Sequence, residues 1–336
     1  MLKKNEILNK GELLPQKFKF PLYIMWDITY LCNLKCIHCY NNSRFKGNDF
    51  LLDINIMKKI AYQIIQGMPI SVSFGGGEPL LFPKELFIIG KELQHKVWLN
   101  LITNGTLIDE NLADRISETF SAVQISINGG YSNTHDYLSG VKGSFDRTIE
   151  GITHLKKAGY EKLEVAFVLN KININEFKDF VKLMGNLENV KKIRVQNFIP
   201  SGRGYFCANE LAVSNEKIQE FVEDIKMSNS SIPIIYDDVI DEVINFREKT
   251  IPNQFMHIRP NGDVGVFTHI PIIIGNIHEN SLQEIWDKSG ITFFNDPKIK
   301  SILDSKNESK DLAYFKAINN YPWLEPPVQL KHLEKH

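Results

Sequence analysis

Tyr23-Ile-Met-Trp-Asp-Ile-Thr-Tyr-Leu-Cys32-Asn-Leu-Lys-Cys36-Ile-His-Cys39-Tyr40 is the stretch that decides how the chain reads. A strand-like apolar run ends at Ile28, and three of the protein's 4 cysteines follow at C-x3-C-x2-C spacing. Three thiolates on one tight loop suit a soft metal centre. Cubane iron–sulfur clusters are held by cysteine thiolates, usually four of them, so a loop of three leaves one iron without a protein ligand. An open coordination position marks a reactive metal, whereas closed sites are usually structural. Zinc is the competing occupant. It requires a fourth ligand, and the only local candidate, His38, sits between Cys36 and Cys39, where reaching the same ion strains the loop. A disulfide framework does not fit, because 4 cysteines in 336 residues are too sparse for a stapled secreted domain.

The rest of the composition is that of an ordinary globular chain, with 43% apolar and 24% charged residues. The net charge of −1 supplies no global field for nucleic acid or a membrane surface. The start, Met1-Leu-Lys-Lys-Asn-Glu, is too polar for a signal peptide, and no apolar run is long enough to span a bilayer. The expectation is a cytoplasmic protein with neither a nucleic-acid nor a membrane partner. Residues 1–20 read as a leader or an edge strand.

From Tyr23 onward, short strand-like runs alternate with helical patterns. Strands are expected at Ile70–Phe74, Val97–Ile102, Ala122–Ile127, Leu163–Val168 and Lys191–Phe198, after the first at Tyr23–Ile28. Helices are expected over about Ile54–Gln66, from Pro83, over Asp109–Ser117, over Phe145–Ala158 with Ser144 as cap and Gly159 as stop, and over Glu176–Met184. This is the signature of parallel βαβ units, six of them, fewer than a closed eight-unit barrel. Beyond Gly204 the alternation breaks down. Ser214–Met227 and Asp238–Glu248 read as helices, and Phe255–Phe267 as a hairpin turned by Asn261-Gly262. Ser281–Trp286 reads as a helix, and residues 291–336 as a helix followed by a tail.

Loops after successive strands carry the unusual residues: the cysteines, then Gly75-Gly76-Gly77-Glu78-Pro79, Thr103-Asn104-Gly105, Ser126-Ile-Asn128-Gly129 and Pro200-Ser-Gly-Arg203-Gly. Taken together, this series resembles the radical S-adenosylmethionine (SAM) enzymes, whose motif is C-x3-C-x2-C followed by an aromatic, here Tyr40. The resemblance implies an α/β fold: a partial (β/α)6 TIM-type barrel over residues 21–204. It also implies one [4Fe–4S] cluster on Cys32, Cys36 and Cys39. SAM would chelate the open iron and be cleaved to a 5′-deoxyadenosyl radical that abstracts hydrogen from a substrate. Tyr40, Gly75, Gly76, Gly77, Glu78, Thr103, Asn104, Gly105, Ser126, Asn128 and Gln196 would bind SAM. Asn128 stands where the family carries aspartate.

Residues 205–290 resemble a SPASM-type α+β extension, with Pro260-Asn-Gly-Asp-Val, Gly275-Asn-Ile and Ser281-Leu-Gln-Glu-Ile-Trp. That extension normally carries cysteines for auxiliary clusters; from the hairpin onward there are none, and Thr268 stands roughly where one usually follows the hairpin. The resemblance points to a ribosomally made peptide as substrate, or to a small molecule in cofactor synthesis, with flavodoxin or ferredoxin as reductant. A non-catalytic iron–sulfur scaffold is also open. Cys207, the remaining thiol, is either a hydrogen-atom donor, as in radical SAM peptide epimerases, or a packing residue beside Tyr205 and Phe206. The pair His135–Asp136 reads as structural. With three cysteines committed and one left, iron analysis of reconstituted protein is expected to give about four irons per chain, and a reproducible value near eight would contradict the single cluster.

Overall fold

The computed structural model describes residues 17–43, 51–228, 230–237, 252–269, 272–290, 293 and 328–329. The barrel strands are β1 (Tyr23–Thr29), β2 (Ser71–Gly76), β3 (Trp98–Thr103), β4 (Ala122–Ser126), β5 (Leu163–Leu169) and β6 (Val190–Asn197). A seventh, β7 (Ile234–Asp237), follows. All seven are parallel and lie in sequential order in the sheet. Right-handed crossovers between strands in sequential order place every connecting helix on the same face, so the sheet curls into a partial barrel. Those helices are α1 (Ile54–Gly67), α2 (Pro83–Leu93), α3 (Glu110–Thr119), α4 (Ser132–Ser139), α5 (Ser144–Lys157) and α6 (Phe177–Gly185). A 3₁₀ turn at Gly202–Cys207 leads through α7 (Ala208–Leu211) and α8 (Asn215–Met227) to β7.

Alternation along the strands sorts the two faces. Trp26, Val72, Phe74, Leu101, Val123, Val165, Phe167 and Val195 are buried against Met57, Ile64, Leu86, Ile116, Leu155 and Phe180 of the helices. The opposite set faces the barrel interior and is half-buried and polar, including Ser73, Asn100, Gln124, Glu164, Arg194 and Gln196. Asn100 donates to Ser73 Oγ at 3.0 Å, and Arg194 bridges Glu164 and Asp237. The interior face of the sheet is thus lined by polar side chains, unlike the branched apolar plug of a closed barrel.

On the other edge, β8 (Phe255–Ile258) pairs in parallel with β1 and in antiparallel with β9 (Asp263–Gly265), which pairs in turn with β10 (Ile272–Asn276). A two-residue strand, β11 (Val328–Gln329), completes the edge. The last described helix is α9 (Leu282–Ile285), capped by a reciprocal Ser281–Glu284 box. Its Leu282 amide bonds Gln63 of α1 at 2.7 Å, and the buried Trp286 indole donates to Phe18 O at 2.9 Å. The extension therefore packs on the barrel wall.

Three sequence expectations need amendment. The alternation persists for one more unit, β7, which Pro233 disguised; proline is tolerated there because β7 lies at the sheet edge. The hairpin turn is not a two-residue Asn-Gly turn. Gly262 N bonds Arg259 O at 2.9 Å and Gly262 has φ +86°, giving a longer turn that Pro260 starts and the glycine closes. Ser144 is not the cap of α5: Gly143 holds the cap position, and Asp136 accepts from Ser144 Oγ and Phe145 N, each at 2.9 Å. The helices expected at Asp238–Glu248 and in 291–336 lie outside the described residues.

Because Trp286 is wholly buried and anchored through its indole, Trp286→Ala is expected to cost about 3–5 kcal/mol in urea unfolding. A loss below about 1 kcal/mol would contradict the docked extension.

Candidate functional site

Cys32 to Ser43 contains turns but neither helix nor strand. Neighbouring rim segments hold it. Lys35 N bonds Ser139 O at 2.9 Å and Ile37 N bonds Leu138 O at 3.0 Å, tying the loop to the end of α4. Arg203, after β6, donates from its backbone to Cys39 O and from Nε to Cys36 O, each at 3.0 Å, and from Nη1 to Ser43 O. A Cβ on Gly202 would stand 2.4 Å from Tyr40 O, which explains the glycine there.

The third support is the Gly75–Glu78 turn. Gly77 N donates to Thr29 O at 2.6 Å and Glu78 N to Leu31 O at 2.7 Å. A Cβ on Gly77 would lie 1.9 Å from Leu31 O, so only glycine permits this approach. Glu78 points inward, accepting from Leu80 N at 3.0 Å, Thr103 Oγ1 at 2.7 Å and Asn104 N at 2.8 Å. Burial pushes its carboxyl up to about 7, against those hydrogen bonds. It ties the second rim loop to the third. Asn104 reaches the cysteine loop, donating to Asn33 Oδ1 at 2.8 Å and to Cys32 Sγ at 3.9 Å, while Gly105 takes φ +77°.

Asn128 is the fourth tie. Its Nδ2 lies 3.3 Å from His38 Nε2, its Oδ1 accepts from Val168 N at 2.9 Å, and its N donates to His135 Nδ1 at 3.1 Å. His38 is driven down to about 4 by burial and the nearby His135 and Arg203, so it is neutral and its Nε2 accepts from the amide. An aspartate cannot donate that bond, which gives the asparagine a physical reason. His135 and Asp136 are thus both structural. Ser126 and Gln196 lie on the interior face, in register with Ala166 and with Val168 and Asp237 respectively.

The four thiols divide by what they bond. Cys32 Sγ accepts from Leu34 N and Cys39 Sγ from Ser43 N, each at 3.4 Å. N–H donors aimed at sulfur suit a thiolate ligand. Cys207 does the reverse, its thiol donating to Ile37 O at 3.2 Å beside the apolar cluster of Leu138, Phe198, Ala208 and Leu211. Burial, with Glu78 nearby, pushes Cys32 up to about 12, and burial raises Cys36 as well. A cationic metal centre would reverse both shifts by holding the deprotonated forms. Among the described residues no three His, Cys, Asp or Glu converge on a single ion; a cubane spreads its thiolates over separate irons. The donor set fits such a cluster.

Sequence reading missed a set of residues at the β1–β8 seam. Asp27 is fully buried on the interior face, and its Oδ2 lies 2.9 Å from His257 Nε2 and accepts from Asn41 Nδ2 at 3.1 Å. Its Oδ1 has no hydrogen-bond partner and lies 3.8 Å from where a Gly75 Cβ would stand. Arg259, buried beside it, hydrogen-bonds the Tyr30 hydroxyl, and Tyr40 bonds Thr268. The one available signal was a charged residue inside an apolar strand. A cavity of about 480 Å³ lined by Ile70, Trp98 and Ser121 opens at the opposite, N-terminal rim, away from all of these groups.

The family model described as the radical SAM superfamily matches residues 26–184, and that of the SPASM iron–sulfur cluster-binding domain matches 250–310. The chain is 30% identical over 185 residues to the mycofactocin maturase MftC of Mycobacterium tuberculosis, covering 55% of this chain and 46% of that protein. It therefore spans about half the length of that relative. An AdoMet-dependent heme synthase of Methanosarcina barkeri is 26% identical, covering 81% of this chain and 83% of that protein. The fold is similar to Streptococcus suis SuiB bound to S-adenosylmethionine, with TM-score 0.65 and 17% identity over 87% of this chain and 69% of that one.

The titrations at the site set a pH dependence. His135 and His269, 2% and 4% exposed, are both pushed down to about 4 by burial, so each adds stability that is lost as pH falls from about 6.5 to about 4. Glu78, pushed up, runs the other way between about 4.5 and 7. His38, also held near 4, acts in the same sense; with three groups against one, the urea midpoint is expected to fall on acidification from pH 6.5 to 4.5, each histidine contributing up to about 2 kcal/mol. A midpoint that rose on acidification would contradict these assignments.

Proposed function

The chain belongs to the radical SAM superfamily, and from that membership we propose that it is a radical SAM enzyme acting on a ribosomally made peptide. The observation that carries the reading is the cysteine loop, with Cys32 and Cys39 accepting N–H bonds at sulfur and the loop clamped at the C-terminal rim of the barrel. Reactive groups of such barrels lie at that rim. A [4Fe–4S] cluster on Cys32, Cys36 and Cys39 would supply the electron that cleaves SAM to a 5′-deoxyadenosyl radical.

The chain's own residues prepare the site in definable ways. Arg203 and Asn128 fix the loop, Glu78 locks the glycine turn to Thr103 and Asn104, and the buried Asp27 keeps one carboxylate oxygen, Oδ1, without a hydrogen-bond partner. Tyr40, the glycine turn, Thr103–Gly105, Ser126, Asn128 and Gln196 are the residues we assign to SAM. Residues 21–204 form the core in this reading, and 205–290 the extension. No cysteine lies between residues 250 and 310, so the extension holds no thiolate-bound auxiliary cluster. Of the two readings of Cys207, packing is supported by its bond to Ile37 O.

The peptide assignment rests on similarity to the mycofactocin maturases and on a fold shared with SuiB, which has also been solved bound to a precursor peptide. A small-molecule substrate is the second reading, favoured by the end-to-end match with the heme synthase, 81% of this chain and 83% of that one. The reductant we assign is flavodoxin or ferredoxin. A cytoplasmic setting follows from clustered free thiols, and among the described residues no helix is long and apolar enough to cross a membrane.

Anaerobically reconstituted protein with dithionite and SAM is expected to form 5′-deoxyadenosine, and Cys36→Ala to form none. Absence of that product from the wild-type protein with substrate present would leave only an iron–sulfur scaffold.

A further inference from the structure

The seam between β1 and the β8–β9 hairpin holds a buried arginine whose guanidinium is only partly engaged. Arg259 is 5% exposed, and its Nε and Nη2 have no hydrogen-bond partner. Those two nitrogens form one side of the guanidinium fork, the side that accepts a carboxylate bidentately. A buried guanidinium with that side empty is costly unless something occupies it. The surroundings show where it faces. β8 runs parallel to β1 with His257 opposite Met25 and Ile258 opposite Trp26, which carries Arg259 to the rim where the cysteines begin. His257 is on the interior face, bonded to Asp27, and Arg259 lies two residues further along the same alternation.

Two tyrosines of the cysteine loop lie around it. Tyr30, just before Cys32, hydrogen-bonds Arg259, and Tyr40, just after Cys39, lies within its electrostatic reach. His269 Nε2 and His257 Nδ1, both on buried side chains of this extension, also lack partners. Of the carboxylates around Tyr30, Asp27 engages His257 and Asn41 through Oδ2, and Asp263 accepts from Asn261 and Asn276.

We propose that Arg259 anchors a carboxylate of the substrate, its Nε and Nη2 holding the two oxygens at the cysteine rim. The assignment rests on the enzyme reading above and deepens it: the substrate carries an accessible carboxylate, whether a peptide terminus, an acidic side chain or a small-molecule acid. Arg259 then sets which part of the substrate is presented to the cluster side of the barrel, so it is a specificity residue contributed by the extension.

The test follows the melting temperature of reconstituted protein while propionate or its neutral isostere propionamide is titrated. Propionate is expected to stabilise saturably and propionamide not, with Arg259→Gln weakening propionate by at least about tenfold. Arg259→Lys, which keeps the charge and loses the fork, is expected to fall between them. Equal shifts from the two probes, or an undiminished propionate shift in Arg259→Gln, overturn the anchor. Should Arg259→Gln not fold, the Lys variant and the wild-type contrast between probes decide it. Repeating the titration with saturating SAM separates the two sources of carboxylate. A retained shift supports the substrate, whereas an abolished one gives the site to SAM and overturns the assignment. None of these readouts needs SAM cleavage, so a propionate effect without 5′-deoxyadenosine would sink the enzyme reading alone.

Discussion

Carbonyl groups of the cysteine loop are what the rest of the rim is built to hold. The loop has no helix or strand of its own, so its backbone polar groups must find partners elsewhere. Arg203 takes the carbonyls of Cys36, Cys39 and Ser43, the end of α4 takes the amides of Lys35 and Ile37, and Gly77 and Glu78 bond the carbonyls of the approach to Cys32. Because these partners come from the ends of several different strands and helices, closure of the sheet and shaping of the loop are one event. Two rim glycines are small for the same reason: at Gly77 and Gly202 a side chain would collide with a carbonyl that the loop presents.

The same clamp separates the roles of the four thiols. Cys32 and Cys39 accept N–H bonds at sulfur whereas Cys207 faces an acceptor, although the two environments are joined through neighbouring residues, Ile37 and Arg203. The extension supplies a second set of polar groups to the rim. Lacking cysteines from the hairpin onward, it brings His257, Arg259, Thr268 and His269 to the β1 edge, where Thr268 bonds the tyrosine that follows the cysteine motif. Without cysteines, this edge is a polar wall.

Much of this was legible in the chain itself. The six barrel strands fall within about two residues of where apolar runs placed them, because each is a run of helix-facing apolar residues bounded by glycine, asparagine or proline. The order of the rim loops also survives, since loops after parallel strands must share one rim. What could not be read is what depends on pairing across the sheet. Nothing local marks β8 as a neighbour of β1, so the Asp27–His257 pair and the buried Arg259, each more than two hundred residues from its partner in the chain, were invisible. Asp136 could be read as structural but not as the cap of α5, because Ser144 was the nearer and more ordinary candidate.

The central claim is that the three-cysteine loop leaves one iron open to SAM. Mössbauer spectra of protein reconstituted with ⁵⁷Fe, recorded with and without SAM, test it most directly. The account predicts that SAM alters a single iron site of the cubane and leaves the thiolate-bound irons unchanged. A cluster whose irons all stay equivalent when saturating SAM is added would contradict it.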